Sequence, residues 1–332
     1  MRPEEGSHLP LAVLIAMILS ATAGTAAAQH ALPEPRLGIV PASFAADAIP
    51  PDSIVVDSST TPGMGASVTV VPIPTGVRTE KPGLGARLGR GAGNFGSDVW
   101  IVSTSPFRLR GKGLLLTAAV LGVEAVIYAN DQEILDAILR NREEPVLGET
   151  IDLGTRIEPV GFMGRTNAIY MAALGAGYAF NIRPLRTIPT EILESHFIAG
   201  GVRNVAKMLV GRQHPSDGKG PYEFKFRHGT SFPSGHTSVV YELATIASMN
   251  AHWLPVTIAS YSLATAVAVQ RVESLNHWPS DVFIAAVYGT LVARTVVQQH
   301  EKRERGLMQG TLILPHIDER GELVGVRVSR TF

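Results

Sequence analysis

The stretch PSGHTSVVYELATIASMNAHW, residues 233–253, sets a turn-forming quartet in front of a long run of apolar and small residues. Such a boundary is typical of a helix start and predicts a helix over 235–253. Ser234 is suited to cap this helix. The free backbone N–H groups of a helix N-terminus are equally suited to bind an anion. The surrounding sequence has to decide between these interpretations.

Apolar segments of helical length continue on both sides of this stretch. Few stretches with alternating β-branched residues, the pattern typical of strands, interrupt them. Pro189 or Thr190 is a suitable start, and Gly211 a suitable end, for the helix before it. The pattern predicts an all-α helical bundle of about six main helices, with a shorter amphipathic one at 131–141. The main segments lie at 113–129, 166–180, 189–211, 235–253, 255–272 and 279–303.

The N-terminal residues differ from this bundle. An apolar run at 10–24 follows Arg2 and leads to a small-residue Ala-x-Ala pattern, which predicts a signal peptide over residues 1–28, cleaved after Ala28. An uncleaved membrane anchor is the alternative interpretation. Residues 29–95 are rich in Pro, Gly, Ser and Thr, which predicts a flexible arm.

The remaining boundaries follow from the same changes in composition. Residues 96–303 are expected to form the helical domain. Residues 304–332 form a tail in which Val324, Val326 and Val328 alternate with other residues, and this alternation predicts a small C-terminal β-hairpin.

Composition limits the classes of function. The 332 residues include 29 basic and 29 acidic side chains, so no bulk charge favours nucleic acid as a partner. Charged residues make up 17% against 45% hydrophobic ones, which is lean for a soluble protein and favours association with a membrane surface. The chain has no cysteine, which excludes disulfides and thiolate metal sites.

Three polar sites lie at the ends of the predicted helices, at 207–215, 233–236 and 271–281. The first ends one helix, the second begins the next, and the third joins the last two. Because successive helices of an up-down bundle run antiparallel, all three sites are expected at the same end of the bundle.

The residue types at that end suit an oxyanion. Gly235 permits close approach to the amides at the helix N-terminus, and Lys207 and Arg271 supply positive charge. Asp281 lies four residues after His277 and is expected to accept a hydrogen bond from one of its ring nitrogens. Zinc is disfavoured because the two cations would repel it, so we predict no metal and no cofactor.

The pattern K-x6-(H)P, PSGH and R-x5-H-x3-D resembles the three-part signature of the type 2 phosphatidic acid phosphatase superfamily, which includes bacterial acid phosphatases and vanadium haloperoxidases. The similarity covers about 195–300. It implies a metal-independent phosphatase acting through a phosphohistidine. By position it implies that His277 is the nucleophile, Asp281 orients it, His236 exchanges the proton with the leaving oxygen, and Lys207, Arg271, Ser234 and Gly235 hold the phosphoryl oxygens.

Two positions depart from the family pattern. His214 stands where the family has Arg before the Pro, and Gln270 stands where it prefers Ser. The loss of one preorganised donor costs about a hundredfold or more in turnover. His214 itself, or Arg212 two residues earlier, is expected to substitute as a phosphate ligand. The sequence therefore predicts reduced activity or an acid-shifted optimum.

The expected substrate is a phosphorylated small molecule or lipid, with no nucleic acid partner. The alternatives are a vanadate-dependent peroxidase and a phosphate- or lipid-binding protein without turnover. The expected location is the periplasm or cell envelope after signal cleavage. An integral inner-membrane protein with a periplasmic site is the alternative, and it requires the N-terminal anchor to be retained.

Overall fold

The structure is a computed structural model that describes residues 54–56, 70–72, 84–105, 110–309, 311–317 and 323–330. The predicted signal peptide and most of the predicted arm lie outside the described residues. Residues 94–300 belong to one compact unit, which carries all three polar sites. The α-helices are α1 (Leu84–Thr104), α2 (Lys112–Ala129), α3 (Asp131–Arg140), α4 (Pro145–Ile157), α5 (Met163–Ala179), α6 (Arg183–Val210), α7 (Gly235–Ala251), α8 (Leu254–Glu273) and α9 (Pro279–Gln309).

Short 3₁₀ segments, Glu158–Gly161 and Pro215–Asp217, follow α4 and α6 respectively. The second unit, within 34–93 and 301–332, contains two antiparallel strand pairs. Strand β1 (Ile54–Val56) pairs with β2 (Val70–Pro72). Strand β3 (Thr311–Ile317) pairs with β4 (Leu323–Arg330) in the segment where the sequence predicts a hairpin. The described residues of the compact unit with the polar sites form helices and loops, with a single isolated β-bridge between Arg212 and Phe224.

The main core lies where α2, α3, α7, α8 and α9 meet, around Tyr241, Val267, Trp278 and Phe283. The helices approach closely at Gly289 of α9, where a Cβ would lie 2.5 Å from the carbonyl oxygen of Ser238 in α7. Any larger side chain there would push these two helices apart. Two elements that begin at the site, α7 and α9, are therefore packed against each other by their backbones.

Two helix starts differ from the sequence predictions. Helix α6 begins at Arg183 and keeps Pro189 inside it, because the turn after α5 is tight: a Cβ on Gly177 would lie 2.6 Å from the backbone of Leu185. The stretch predicted as part of a flexible arm contains α1 from Leu84. Its residues Phe95, Val99 and Val102 join a small core with α6 and α9, which the Gly-rich composition conceals.

Among the described residues, two helices are long and apolar enough to cross a membrane. The segment Pro279–Arg305 is 67% buried and is a core helix of the bundle. The segment Lys112–Ala129, which is α2, is only 6% buried. Ile127 of this helix is buried in the main core. Five of its large apolar side chains are exposed, namely Leu114, Leu115, Leu116, Leu121 and Val126.

Candidate active site

The three polar sites meet at one end of the bundle and are joined through their backbones. The amide of Ser231, before α7, donates to the carbonyl of Arg212, after α6, at 3.0 Å. The amide of Ser234 donates to the carbonyl of Asp281 in α9 at 3.1 Å. The amide of Ser216 donates to the carbonyl of Leu275, after α8, at 3.1 Å. These three bonds bring the sites together at one end of the bundle.

His277 lies at the centre of this end and is only 5% exposed. Its Nδ1 lies 2.8 Å from the carbonyl oxygen of Ser231. Because a carbonyl only accepts, Nδ1 carries the proton and Nε2 keeps its lone pair. Burial lowers the pKa of His277 well below its usual value, and the charges of Lys207 and Arg271 lower it further. The ring is therefore held as a neutral imidazole with a basic nitrogen available.

The predicted hydrogen bond between His277 and Asp281 is wrong, because Nδ1 of His277 donates to the carbonyl of Ser231 instead. Both carboxylate oxygens of Asp281 have other partners. They accept hydrogen bonds from Arg212 Nη1 at 2.8 Å, from the backbone amide of Trp278 at 3.0 Å, and from the hydroxyl of Ser231. Asp281 therefore acts on His277 through Ser231, whose hydroxyl it binds and whose carbonyl orients the ring.

His236 stands at the N-terminus of α7 and is partly exposed. Its Nε2 lies 3.0 Å from Oε1 of Glu158, and the same oxygen lies 3.0 Å from Nη1 of Arg271. Burial and the charge of Arg271 lower the pKa of His236, and Glu158 opposes them. Gly161 packs closely against His236, since a Cβ there would be 3.0 Å from Cδ2 of His236.

The cationic groups are shared by the two imidazoles. Lys207, near the end of α6, donates to the carbonyl of Thr230. Desolvation by burial lowers its pKa to about 8. Lys207 and Arg271 each lower the pKa of both His236 and His277, so both rings lie within electrostatic range of the same two charges. Lys207, Arg271 and the backbone amides in the first turn of α7, at Gly235, together form an anion-binding environment.

Two of the predicted phosphate ligands, Arg212 and Ser234, are instead bound to other groups of the protein. Arg212 is 1% exposed and forms ion pairs with Asp131 at 2.6 Å and Asp281 at 2.8 Å, so it does not reach a phosphate. Ser234 is fully buried; its hydroxyl is hydrogen-bonded to that of Thr237 at 2.9 Å, and its amide is bonded to Asp281. These two predictions are therefore wrong, because neighbouring elements already satisfy the polar groups.

His214 does lie at the site, with its ring centroid 5.4 Å from that of His277. Both of its ring nitrogens have protein partners: Nδ1 contacts the carbonyl of Asn276, and Nε2 lies 2.9 Å from the hydroxyl of Thr230. In this state His214 joins the loops that follow α6 and α8. A direct contact with phosphate requires one of these bonds to open.

Two site residues were not found from the sequence. Arg203 is buried one turn before Lys207 on α6, beside Gly235, and it also lowers the pKa of His236. Arg203 lies four residues before Lys207, and this spacing places both side chains on the same face of the helix. Glu158 lies in a 3₁₀ segment, 113 residues before its partner Arg271. No local pattern marks Glu158.

The fold and the site thus define a helical protein with two imidazoles beside a cationic, amide-lined oxyanion environment. Residues 189–305 match the family model of the PAP2 superfamily, which confirms the resemblance that the three motifs carry. The chain is 31% identical over 99 residues to lipid A 1-phosphatase of Porphyromonas gingivalis, covering 29% of this chain and 20% of that protein. The chain thus spans about a fifth of that relative's length.

A solved structure, LpxE of Aquifex aeolicus, aligns with 50% of this chain and 94% of its own. The identity is 18% and the TM-score is 0.37.

Proposed function

We propose that this protein is a metal-independent phosphatase that hydrolyses a phosphate ester of a lipid through a phosphohistidine on His277. The observation that carries the proposal is the fixed tautomer of His277, whose Nδ1–H is bonded to the carbonyl of Ser231. Burial and the charges of Lys207 and Arg271 lower the pKa of this ring, so Nε2 keeps its lone pair. A neutral, oriented imidazole is the form that attacks phosphorus.

In the first step, Nε2 of His277 forms a bond to phosphorus as the bond from phosphorus to the leaving oxygen breaks. His236 gives its proton to that oxygen. Lys207, Arg271 and the amide of Gly235 stabilise the three equatorial oxygens of a loose transition state. Arg203, which is buried beside Gly235, adds positive charge near the N-terminus of α7.

In the second step, neutral His236 takes a proton from water, whose oxygen attacks phosphorus and breaks the bond to His277. The products are phosphate and the free imidazole. Glu158 sets the protonation of His236 and neutralises Arg271 when no phosphate is bound. Substrate then replaces Glu158 as the anionic partner of Arg271.

A lipid substrate is favoured by the outward apolar face of α2, which needs lipid to cover it. The relative from Porphyromonas gingivalis is named for a phosphatase that acts on a lipid. We therefore place the protein at a membrane of the cell envelope, with α2 in contact with the bilayer. The signal peptide, the flexible arm and the cleavage after Ala28 stay predictions.

The test is phosphate release from a panel of a diacylglycerol phosphate, an isoprenoid diphosphate, a lipid A phosphate and 4-nitrophenyl phosphate. The proposal predicts release from at least one lipid and its loss in His277→Ala. The matched control is His252→Ala, since His252 is an exposed histidine at the far end of α7. Equal activity in the two variants would contradict the proposal.

Binding without turnover is a second candidate, because Glu158 already occupies the anion position beside Arg271 and His214 replaces an arginine. It predicts a complex with the lipid phosphate but no phosphate release from any member of the panel. The peroxidase alternative predicts bromide oxidation after loading with vanadate.

A further inference from the structure

The loop between α6 and α7 carries an exposed strip in which aromatic and basic side chains are mixed. Tyr222, Phe224 and Phe226 are 55%, 44% and 61% exposed. The basic side chains of the strip, which are also exposed, are Lys219, Lys225 and Arg227. We call residues 216–228 the basic-aromatic loop. Large exposed rings beside clustered basic groups indicate a surface that binds a partner with both apolar and anionic parts.

This loop has a defined conformation, so the exposure of its rings is built into the fold. The amide of Gln213 donates to the carbonyl of Glu223 at 3.0 Å, and the amide of Arg227 donates to the carbonyl of Met208 at 3.1 Å. The buried guanidinium of Arg212 donates to the carbonyl of Pro221. The loop is thereby tied to the same residues that hold the active site.

The loop also continues an apolar face of α6. Val202, Val205 and Leu209 lie on one side of this helix and are exposed. The bond from Arg227 to Met208 joins the basic-aromatic loop to the end of that face. An apolar helix face that ends in aromatic rings and basic groups is the arrangement found at the boundary between hydrocarbon and headgroups.

Within the loop, Lys219 lowers the pKa of Lys225. Glu223 and Asp217 are the acidic groups that oppose the shift, and their effect is smaller. Two like charges that act on each other favour an anion that both can bind, such as a lipid phosphate.

We propose that the basic-aromatic loop is the surface through which this protein contacts the headgroup layer of a bilayer that contains anionic phospholipid. Phe224 and Phe226 enter the interface, and Lys219 and Lys225 bind the phosphate of a neighbouring lipid. The loop then holds the active site at the depth where lipid phosphates lie. The part that concerns catalysis rests on the proposed function, whereas the contact with lipid does not.

The absence of cysteine allows a direct test by labelling. Phe226→Cys and, separately, Tyr222→Cys are labelled with a fluorophore in vesicles of phosphatidylcholine with or without phosphatidylglycerol. We expect quenching by nitroxide lipids labelled near the headgroup, and more of it with phosphatidylglycerol. The control is Glu143→Cys, on the charged turn between α3 and α4, which should respond to a water-soluble quencher only. A label at 226 or 222 that behaves as the one at 143 would overturn the proposal.

Measurements of activity provide a second test. Combined replacement of Lys219, Lys225 and Arg227 by Ser should leave hydrolysis of 4-nitrophenyl phosphate unchanged. Hydrolysis of a lipid phosphate in anionic vesicles should fall by about tenfold or more, because each basic group near such a surface contributes about 1 kcal/mol. The control replaces Arg140, at the end of α3, and Arg142, on the charged turn, both of which are exposed.

The outcomes separate the two proposals. An equal fall on both substrates, or no fall on either, would overturn the proposed role of the loop in catalysis. Absence of hydrolysis in the wild type would refute the proposed function, and the labelling result would still decide whether the loop contacts lipid.

Discussion

Replacement of Glu158 by Gln tests how the site controls the proton of His236. The carboxylate lies 3.0 Å from Nε2 of His236, and the two side chains are 29% and 23% exposed. An opposite charge at such a distance raises the pKa of a histidine by about 1–3 units. Because Glu158 shares its charge with Arg271, we take the low end, about one unit or about 1.4 kcal/mol.

The direction in which the pH profile moves follows from the proposed mechanism. His277 must be neutral and His236 protonated for attack, so kcat/KM rises as His277 loses its proton and falls as His236 loses its proton. Both pKa values are lowered in the folded protein, which predicts an acidic optimum. Without Glu158 the pKa of His236 falls further, so the alkaline limb moves to lower pH by about one unit. Lys207, whose pKa is about 8, keeps its charge over this range.

The assay is kcat/KM for a lipid phosphate in detergent micelles across the pH range. Glu149→Gln, an exposed position on α4, serves as the matched control and should leave the profile unchanged. The reasoning is refuted if the alkaline limb of Glu158→Gln stays where it is in the wild type or moves to higher pH. A change in amplitude alone does not support the account, because the pKa argument concerns the position of the limb.

Three further substitutions test how the structure supports the site. Gly154→Ala should lower both thermal stability and kcat/KM, because its Cβ would lie 2.2 Å from the carbonyl oxygen of Ala266 and would push α4 off α8; a wild-type melting temperature would contradict this packing. Asp131→Asn leaves the buried Arg212 short of one charge and should destabilise the protein by about 3 kcal/mol, measured as a shift of the denaturant midpoint. His214→Arg restores a permanently charged phosphate ligand and should raise activity or broaden the pH profile; no change in either would show that this position does not bind phosphate.

The sequence was sufficient for the helical class and for the meeting of the three motifs at one end. Both follow from apolar periodicity and from the alternation of helix direction, which are local properties of the chain. The sequence pattern places the start of α6 too late, because Pro189 is a typical first residue of a helix but lies inside this one. The contact between Gly177 and Leu185, which sets the true start, is a tertiary feature that no local pattern shows.

The errors at the site have a common physical origin. Spacing and the family resemblance both pair Asp281 with His277, but Arg212 and Ser231 supply its carboxylate with donors from other elements. The sequence offers Arg212 as a phosphate ligand because it lies two residues before His214, but its ion pairs with Asp131 and Asp281 come from other elements. Glu158 was missed because its partners, His236 and Arg271, come from helices far along the chain.

The most direct test of the central claim is to trap the phosphorylated histidine. In His236→Ala, 4-nitrophenyl phosphate should still phosphorylate the enzyme, because its leaving group needs no proton, whereas hydrolysis of the intermediate lacks its base. The protein is denatured in alkali, which preserves phosphohistidine, and the site is read by tandem mass spectrometry. The account predicts one phosphoryl group on His277 that is absent from the variant in which His277 is also Ala. Phosphate on another residue such as His214, or hydrolysis at the wild-type rate with His277 removed, would contradict it.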